Sequence, residues 1–396
     1  MTARLPDTAP EDLVAELLAA IAEQLGEPLP DTLQRAFRTV PRHRFLPERI
    51  WVRDGAGDYE RVDRADRPDE WMAAAYSDAP LVTQFTDGLP SSSASMPSTV
   101  VRTLLLADLT PSVPGQQDHR GRVLELGTGT GFDAALLCTL MGAEQVTSVE
   151  LDPKLAARGE RNLKAVGFAP RVVAGDAAAG WSDGGPYDQI LATFSVDHVP
   201  AAWLEQVRPG GRIVTPWTSR WCRYGTLALT AGQDGGAEGR FHSFASFMPM
   251  RPPAGAAPPP GAAPAEAVTT AAETVTDVSP WAVAGGDLDA EFHIGLTVPG
   301  AHFAWDTSGR HTHTRLEIRD DTTGSWATID YDGDTAARFT VAQAGPRALW
   351  DEVAAAYERW ERLGRPSVDR YGLTVDAHGS KRLWFYDFGQ LALGAD

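Results

Sequence analysis

Apolar residues at positions 13, 14, 17, 18 and 21 of PEDLVAELLAAIAEQLG recur at helical spacing and predict an N-terminal helix, with a second over DTLQRAFRTV. Both read as a lid or cap. From Arg122 the pattern changes. Short β-rich runs (RVLEL, QVTSVEL, RVVAGD, YDQILATF, RIVTPW) alternate with helical segments: FDAALLCTLMG, AAWLEQV, and PKLAARGERNLKAVG, opened by Pro153 and closed by Gly167. Such alternation predicts an α/β, doubly wound parallel sheet with helices on both faces. Over GTLALTAGQDGGAEGRFHSFASFMPM, two strand-like runs flank a glycine-rich connection with no helix between them. An antiparallel hairpin at the sheet edge is expected there.

Two stretches break the periodicity. SSSASMPSTVVR, residues 91 to 102, reads as a small-residue loop that ends where Pro97 opens a helix. Residues 251 to 276 are rich in proline and alanine with few large apolar side chains, and read as a linker. Beyond it, strand-like EFHIGLTV, TRLEIRD, SWATIDYDG and ARFTVAQAG, a helix over PRALWDEVAAAYERWERLG and a final hairpin over YGLTVDAHGSKRLWFYD predict an α+β accessory domain. Trp350, Val353, Tyr357 and Trp360 fall at helical spacing and read mostly as a core face. The expected division is a helical cap and substrate loop over 1–110, a ligand-binding domain over 111–250, the linker, and a recognition domain over 277–396.

Composition narrows the function classes. A chain of 396 residues is long enough for two domains. Its 35 Lys and Arg against 53 Asp and Glu give a formal charge of -18, which as a whole repels nucleic acid and anionic membrane surfaces. Two cysteines, Cys138 and Cys222, make neither a zinc cluster nor a disulfide framework, and fit a reducing cytoplasm. Acidic residues interrupt the N-terminal apolar run, unlike a signal peptide, and no uncharged apolar run reaches the length of a membrane span. His311 and His313 in HTHT share a strand face without further ligands, and the acidic turns RDDTTG and DYDGD lack calcium spacing, so no metal site is expected.

The chemistry concentrates in VLELGTGTGFDAALL. Gly127, Gly129 and Gly131 lie between a predicted strand and a helix, where a ligand can approach the backbone closely. Phe132 stands where a dinucleotide fingerprint would place its third glycine, so a pyrophosphate is the poorer fit. Glu150 closes the second strand, where a carboxylate can accept from ribose hydroxyls, and Asp176 closes the third, placed to face an adenine edge. The three features together imply a nucleoside.

This arrangement resembles the class I S-adenosylmethionine-dependent methyltransferases. The resemblance implies that the cofactor is held by Glu125, Gly127, Thr128, Gly129, Gly131, Glu150, Leu151, Asp176 and Ala177. AFRTVPRHRFLP, AYSDAPL, GDAAAGWSDGGPYDQI and VPAAWLEQVRPGGRIVTP are further similar to protein-L-isoaspartate O-methyltransferases. In that family a Thr-x-Ser loop before proline lies against the methyl acceptor. Here Ser93, Ala94, Ser95, Met96 and Pro97 match it, with Ser93 in place of threonine, so Ser95 and then Ser93 are expected to orient the acceptor. The layout, including AAYERWERLGRPSVDRYGLTV, also resembles the variant enzymes of ribosomal peptide pathways, lanthipeptides above all. That likeness implies an enzyme that esterifies one aspartate of a modified precursor peptide, leading through succinimide to isoaspartate; a cytoplasmic monomer is expected. The alternative is a repair-type isoaspartyl methyltransferase with an added tail; a third reading is a cofactor-binding protein without catalysis.

Overall fold

The computed structural model describes residues 8–55, 57–109, 121–252, 271–308, 314–333, 335, 337–385 and 391–393. The first segment holds α1 (Glu11–Leu25), α2 (Asp31–Thr39), β1 (Arg49–Arg53), β2 (Tyr59–Asp63), α3 (Pro68–Ala75), β3 (Leu81–Thr86), β4 (Leu89–Ala94) and α4 (Pro97–Leu106). The middle holds β5 (Val123–Leu126), α5 (Phe132–Met141), β6 (Val146–Glu150), α6 (Pro153–Ala165), β7 (Arg171–Ala174), β8 (Tyr187–Ala192), α7 (Ala201–Gln206), β9 (Val207–Pro216), β10 (Thr226–Ala231) and β11 (Ala237–His242). The tail holds β12 (Ala272–Thr276), α8 (Pro280–Ala284), α9 (Leu288–Thr297), β13 (His302–Asp306), β14 (Thr314–Asp320), β15 (Ser325–Tyr331), β16 (Phe339–Ala344), α10 (Leu349–Arg362), β17 (Tyr371–Val375), β18 (Lys381–Phe385) and β19 (Leu391–Leu393).

Ten strands form the central sheet in the order β19-β18-β17-β11-β10-β9-β8-β5-β6-β7. Its core is parallel, as the alternating pattern predicts: β5 pairs in parallel with β6 and β8, and β6 with β7. Every residue of β5 and β6 is buried, the mark of strands covered on both faces. Neighbouring side chains accordingly enter different cores. Val123, Leu191 and Val214 pack with α1, α2, α4 and α5 on one face, while Leu124, Ile190 and Ile213 pack on the other with tail residues such as Ile294, Val353 and Leu373.

Several expectations need correction. The first segment is not purely helical, because β2-β1-β3-β4 form a sheet of their own. The serine run is strand β4 rather than loop: its register against β3 places Ser93 opposite Val82 and Ala94 opposite Leu81. The helix does begin at Pro97. EFHIGLTV is helical up to Thr297, in α9, which is preceded by Asp287, whose carboxylate accepts from the backbone N–H groups of Asp289 and Ala290. A short apolar run fits a strand or a buried helix equally well by periodicity, and the cap decides. The β10–β11 hairpin is not the sheet edge, since β11 pairs antiparallel with β17 and the final hairpin continues the sheet. The tail is therefore joined to the central sheet by both hydrogen bonds and core.

The expected linker ends earlier than 276, because β12 pairs with β16 in a five-stranded tail sheet. Residues 253–270 and the pair His311 and His313 lie outside the described residues. Among the described residues, no helix is long and apolar enough to cross a membrane.

Candidate active site

The loop after β5 is built on glycine because side chains would not fit. Gly127 has φ +100°, and a Cβ there would lie 2.2 Å from the Thr193 hydroxyl oxygen. That hydroxyl donates to the Gly127 carbonyl at 2.8 Å and ties the end of β8 to the loop. Gly131, at φ +89°, caps α5 against the backbone of Gly159 in α6. The Gly127 and Thr128 N–H groups both donate to the Val149 carbonyl.

Glu150, at the end of β6, is buried and held from two sides. The Gly129 N–H donates to its Oε2 at 2.8 Å and the Asp152 N–H to its Oε1 at 3.1 Å. Each oxygen keeps a further lone pair beyond these bonds, and Glu150 lines the cleft. The Thr128 hydroxyl lies 2.5 Å from that of Ser148, which in turn donates to Glu125. Burial, with Asp133 and Glu150 nearby, pushes the Glu125 carboxyl well above the usual range, against the pull of Ser148. Its Oε1 is buried without a hydrogen-bond partner.

A cleft of about 820 Å³ opens over this loop. Gly127, Thr128, Gly129, Glu150, Leu151 and Ala177 line one side, and Ser93 and Ser95 line it from β4 and its end. Gly131 and Glu125 stand behind, Glu125 on a second cavity of about 20 Å³. Asp176 is not on the cleft wall; its carboxylate accepts from the Ala178 N–H at 2.9 Å and caps the 3-10 turn Ala177–Ala179.

The hydroxyls of the serine run divide. Ser91 accepts from Thr86 at 2.9 Å and Ser92 from Thr83 at 3.1 Å, whereas the Ser93 and Ser95 hydroxyls have no protein partner among the described residues. Their backbone is fixed by residues whose role the sequence alone did not reveal. Arg42 is 1% exposed and its guanidinium donates to the carbonyls of Ala75, Ser77, Ala79 and Ser95, the last at 2.9 Å. Asp78 accepts from the Ser98 N–H at 2.7 Å and anchors the start of α4. Burial lowers the Arg42 pKa to about 10, with Asp133 and Asp78 opposing. Both residues sit inside blocks quoted for the family likeness, but the blocks alone do not show this clamp. Arg53, Arg223 and Arg251 also line the cleft, an unexpected basic contribution in a chain of charge -18.

The glycine cradle, the Glu150 carboxylate facing a cleft and the orphaned buried oxygen of Glu125 suit a nucleoside with a charged amino-acid end. Set at the carboxyl ends of parallel strands, they define a class I S-adenosylmethionine-dependent methyltransferase. A family model described as Protein-L-isoaspartate(D-aspartate) O-methyltransferase (PCMT) matches residues 52–235. Proteins named protein-L-isoaspartate O-methyltransferase share this sequence: that of Hyperthermus butylicus is 30% identical over 225 residues, covering 52% of this chain and 87% of its own. That of Methanopyrus kandleri is 30% identical over 238 residues, covering 59% and 90%. The chain belongs to the protein-L-isoaspartate O-methyltransferase family, and is a carboxyl O-methyltransferase that uses S-adenosylmethionine.

A solved structure described as a protein-L-isoaspartate O-methyltransferase, 19% identical, superposes with a TM-score of 0.53 over 93% of this chain and 98% of its own. This likeness of fold reaches into the tail.

Proposed function

We propose that this chain, a cytoplasmic monomer, esterifies the free α-carboxylate of isoaspartyl residues in proteins and peptides. The observation that carries this reading is a single cleft in which two unpaired hydroxyls, Ser93 and Ser95, share the space with the glycine loop and Glu150.

A carboxylate at neutral pH is already an anion, so no strong base is required of the protein. Bound S-adenosylmethionine supplies an electrophilic methyl group: the carboxylate oxygen forms the new C–O bond, the C–S bond breaks and its electron pair stays on sulfur. The chain positions the acceptor and excludes water. Ser95 donates to one carboxylate oxygen and Ser93 supports the other, while Arg42 fixes Ser95 by its carbonyl. Arg53, Arg223 and Arg251 raise the local concentration of anionic acceptors. Glu150 accepts from the ribose hydroxyls, and Asp176 orders the turn that carries Ala177 to the cleft. In the ester, the next residue's backbone nitrogen attacks the carbonyl and methoxide leaves with the amide proton as methanol. Water reopens the resulting succinimide to aspartate or isoaspartate.

A second reading assigns the enzyme one aspartate in a ring-constrained ribosomal peptide such as a lanthipeptide. It draws on the layout of the chain and on the tail stretch AAYERWERLGRPSVDRYGLTV, which lies beyond the residues 52–235 matched by the family model. Two peptides separate the readings, one linear with isoaspartate and one with ordinary aspartate in a thioether ring. Methyl transfer to the linear isoaspartyl peptide is expected. Transfer confined to the ring aspartate would establish the second reading, and tight donor binding without transfer to either peptide would leave a binding protein.

A further inference from the structure

Asp133, in the first turn of α5, belongs to none of the roles described so far. It lines both the large cleft and a second cavity of about 20 Å³. Ser95 and Thr193 line both as well, and the buried Glu125 borders the smaller one. A void of that size holds about one water. Beside the glycine loop, then, a half-buried carboxyl group meets a fully buried one whose Oε1 has no partner.

The charges around this point do not cancel. Arg42 faces Asp133 from the turn Arg42–Phe45, and its guanidinium carbon lies 5.8 Å from the centre of the neighbouring Phe132 ring. Asp78 faces Arg42 from the segment before β3, Glu125 faces Asp133 from β5, and Glu150 faces Glu125 from β6. Burial favours the neutral form of Glu125. Among the described residues, Arg42 is the cation acting on Asp133, and it is set against Asp78, Glu125 and Glu150; Arg53, Arg223 and Arg251 line the same cleft but act on neither Asp133 nor Glu125. The methyl donor carries a sulfonium, an ammonium and a carboxylate, for a net charge of +1; its thioether product is neutral overall.

We propose that the Asp133 carboxylate is a cofactor-binding group that makes the site prefer the cationic donor to the neutral product. This rests on the cofactor and not on the identity of the acceptor. After transfer the attraction vanishes with the sulfonium charge, so the same residue favours product release. Burial pushes Asp133 up to about 6, with Arg42 pulling the other way. Below that pH the group takes up a proton and the preference fades; above it the preference is complete.

Calorimetry on the full chain, with S-adenosylmethionine and S-adenosylhomocysteine titrated separately from pH 5 to 7.5, tests this without any methyl transfer. The ratio of the two Kd values should favour the donor about fivefold more at pH 7.5 than at pH 5, as expected if the donor lowers the Asp133 pKa from about 6 by roughly one unit. Asp133→Asn should weaken donor binding about tenfold at pH 7.5, change product binding less than twofold and flatten the ratio. Asp133→Glu should retain the pH dependence. A wild-type ratio that stays flat with pH overturns the proposal even if the Asn variant fails to fold, as does an Asn variant that weakens both ligands equally or neither. Failure of the isoaspartyl peptide as acceptor would leave these results unaffected.

Discussion

Ser95 shows how little a residue's type says about its work until its neighbours are known. Five of the residues from 91 to 98 are serines; the Ser91 and Ser92 hydroxyls accept from Thr86 and Thr83, and Ser98 donates its backbone N–H to Asp78. Ser93 and Ser95 are left with hydroxyls to offer an acceptor. Ser95→Ala removes one hydrogen bond to a charged group, worth about 1.5–3 kcal/mol. A fall in kcat/KM of roughly 10- to 100-fold is expected. Because Ser95 is held by its carbonyl and not its hydroxyl, donor affinity measured by calorimetry should stay within about twofold. Equal loss of donor affinity would move Ser95 to a cofactor role. The family motif singled out Ser93 and Ser95 in the sequence, and both line the cleft. Asp133 was not legible, since an acid just after a glycine loop is unremarkable until burial and two cavities are seen around it.

At the scale of elements, the glycine loop was readable because its constraint is local. Gly127 needs a positive φ and also lacks room for a Cβ. Gly127→Ala should therefore abolish measurable donor binding. Adding Thr193→Ala should not restore it, because the second change removes the clash but leaves the strained backbone. Recovery in the double variant would show that space alone makes the position glycine. β4 and α9 were misread for opposite reasons. Serine is not among the β-branched and aromatic residues enriched in strands, and β4 forms because β3 offers it a register. The run in α9 looked like a strand because buried apolar residues follow one another, and only the Asp287 cap marks the helix start.

For the whole molecule, the decisive fact is that the tail completes the central sheet. Tyr371, Leu373 and Val375 of β17 share one buried cluster with Leu124 and Ile190. Phe292 of α9 stacks edge-on against Phe241 of β11 at 5.1 Å between ring centres. Lys381 of β18 donates to the Asp197 carbonyl at 3.0 Å and lies over the Trp217 ring. Removing 277–396 would strip the partner strand from β11 and expose that cluster. The truncated chain is expected to be insoluble or to melt far below the full chain, losing donor binding with its fold. A soluble truncation with unchanged donor affinity, measured by calorimetry, would show instead that the tail is a separable module.

The order of parallel strands and helices, the glycine loop and the acids at the strand ends were set by short-range pattern, because side-chain alternation, helical period and the steric demand of a loop are properties of a few consecutive residues. The sequence by itself thus determined a nucleoside site on a doubly wound sheet, and its motifs carried the family. Tertiary structure alone decided which hydroxyls remained free, that Arg42 holds Ser95 in place across 53 positions of chain, and that Asp133 faces a cavity. It alone also decided that the last hairpin extends the first sheet. These depend on which distant segments exclude water together, a free energy shared among residues far apart in the chain and written in no single stretch of it.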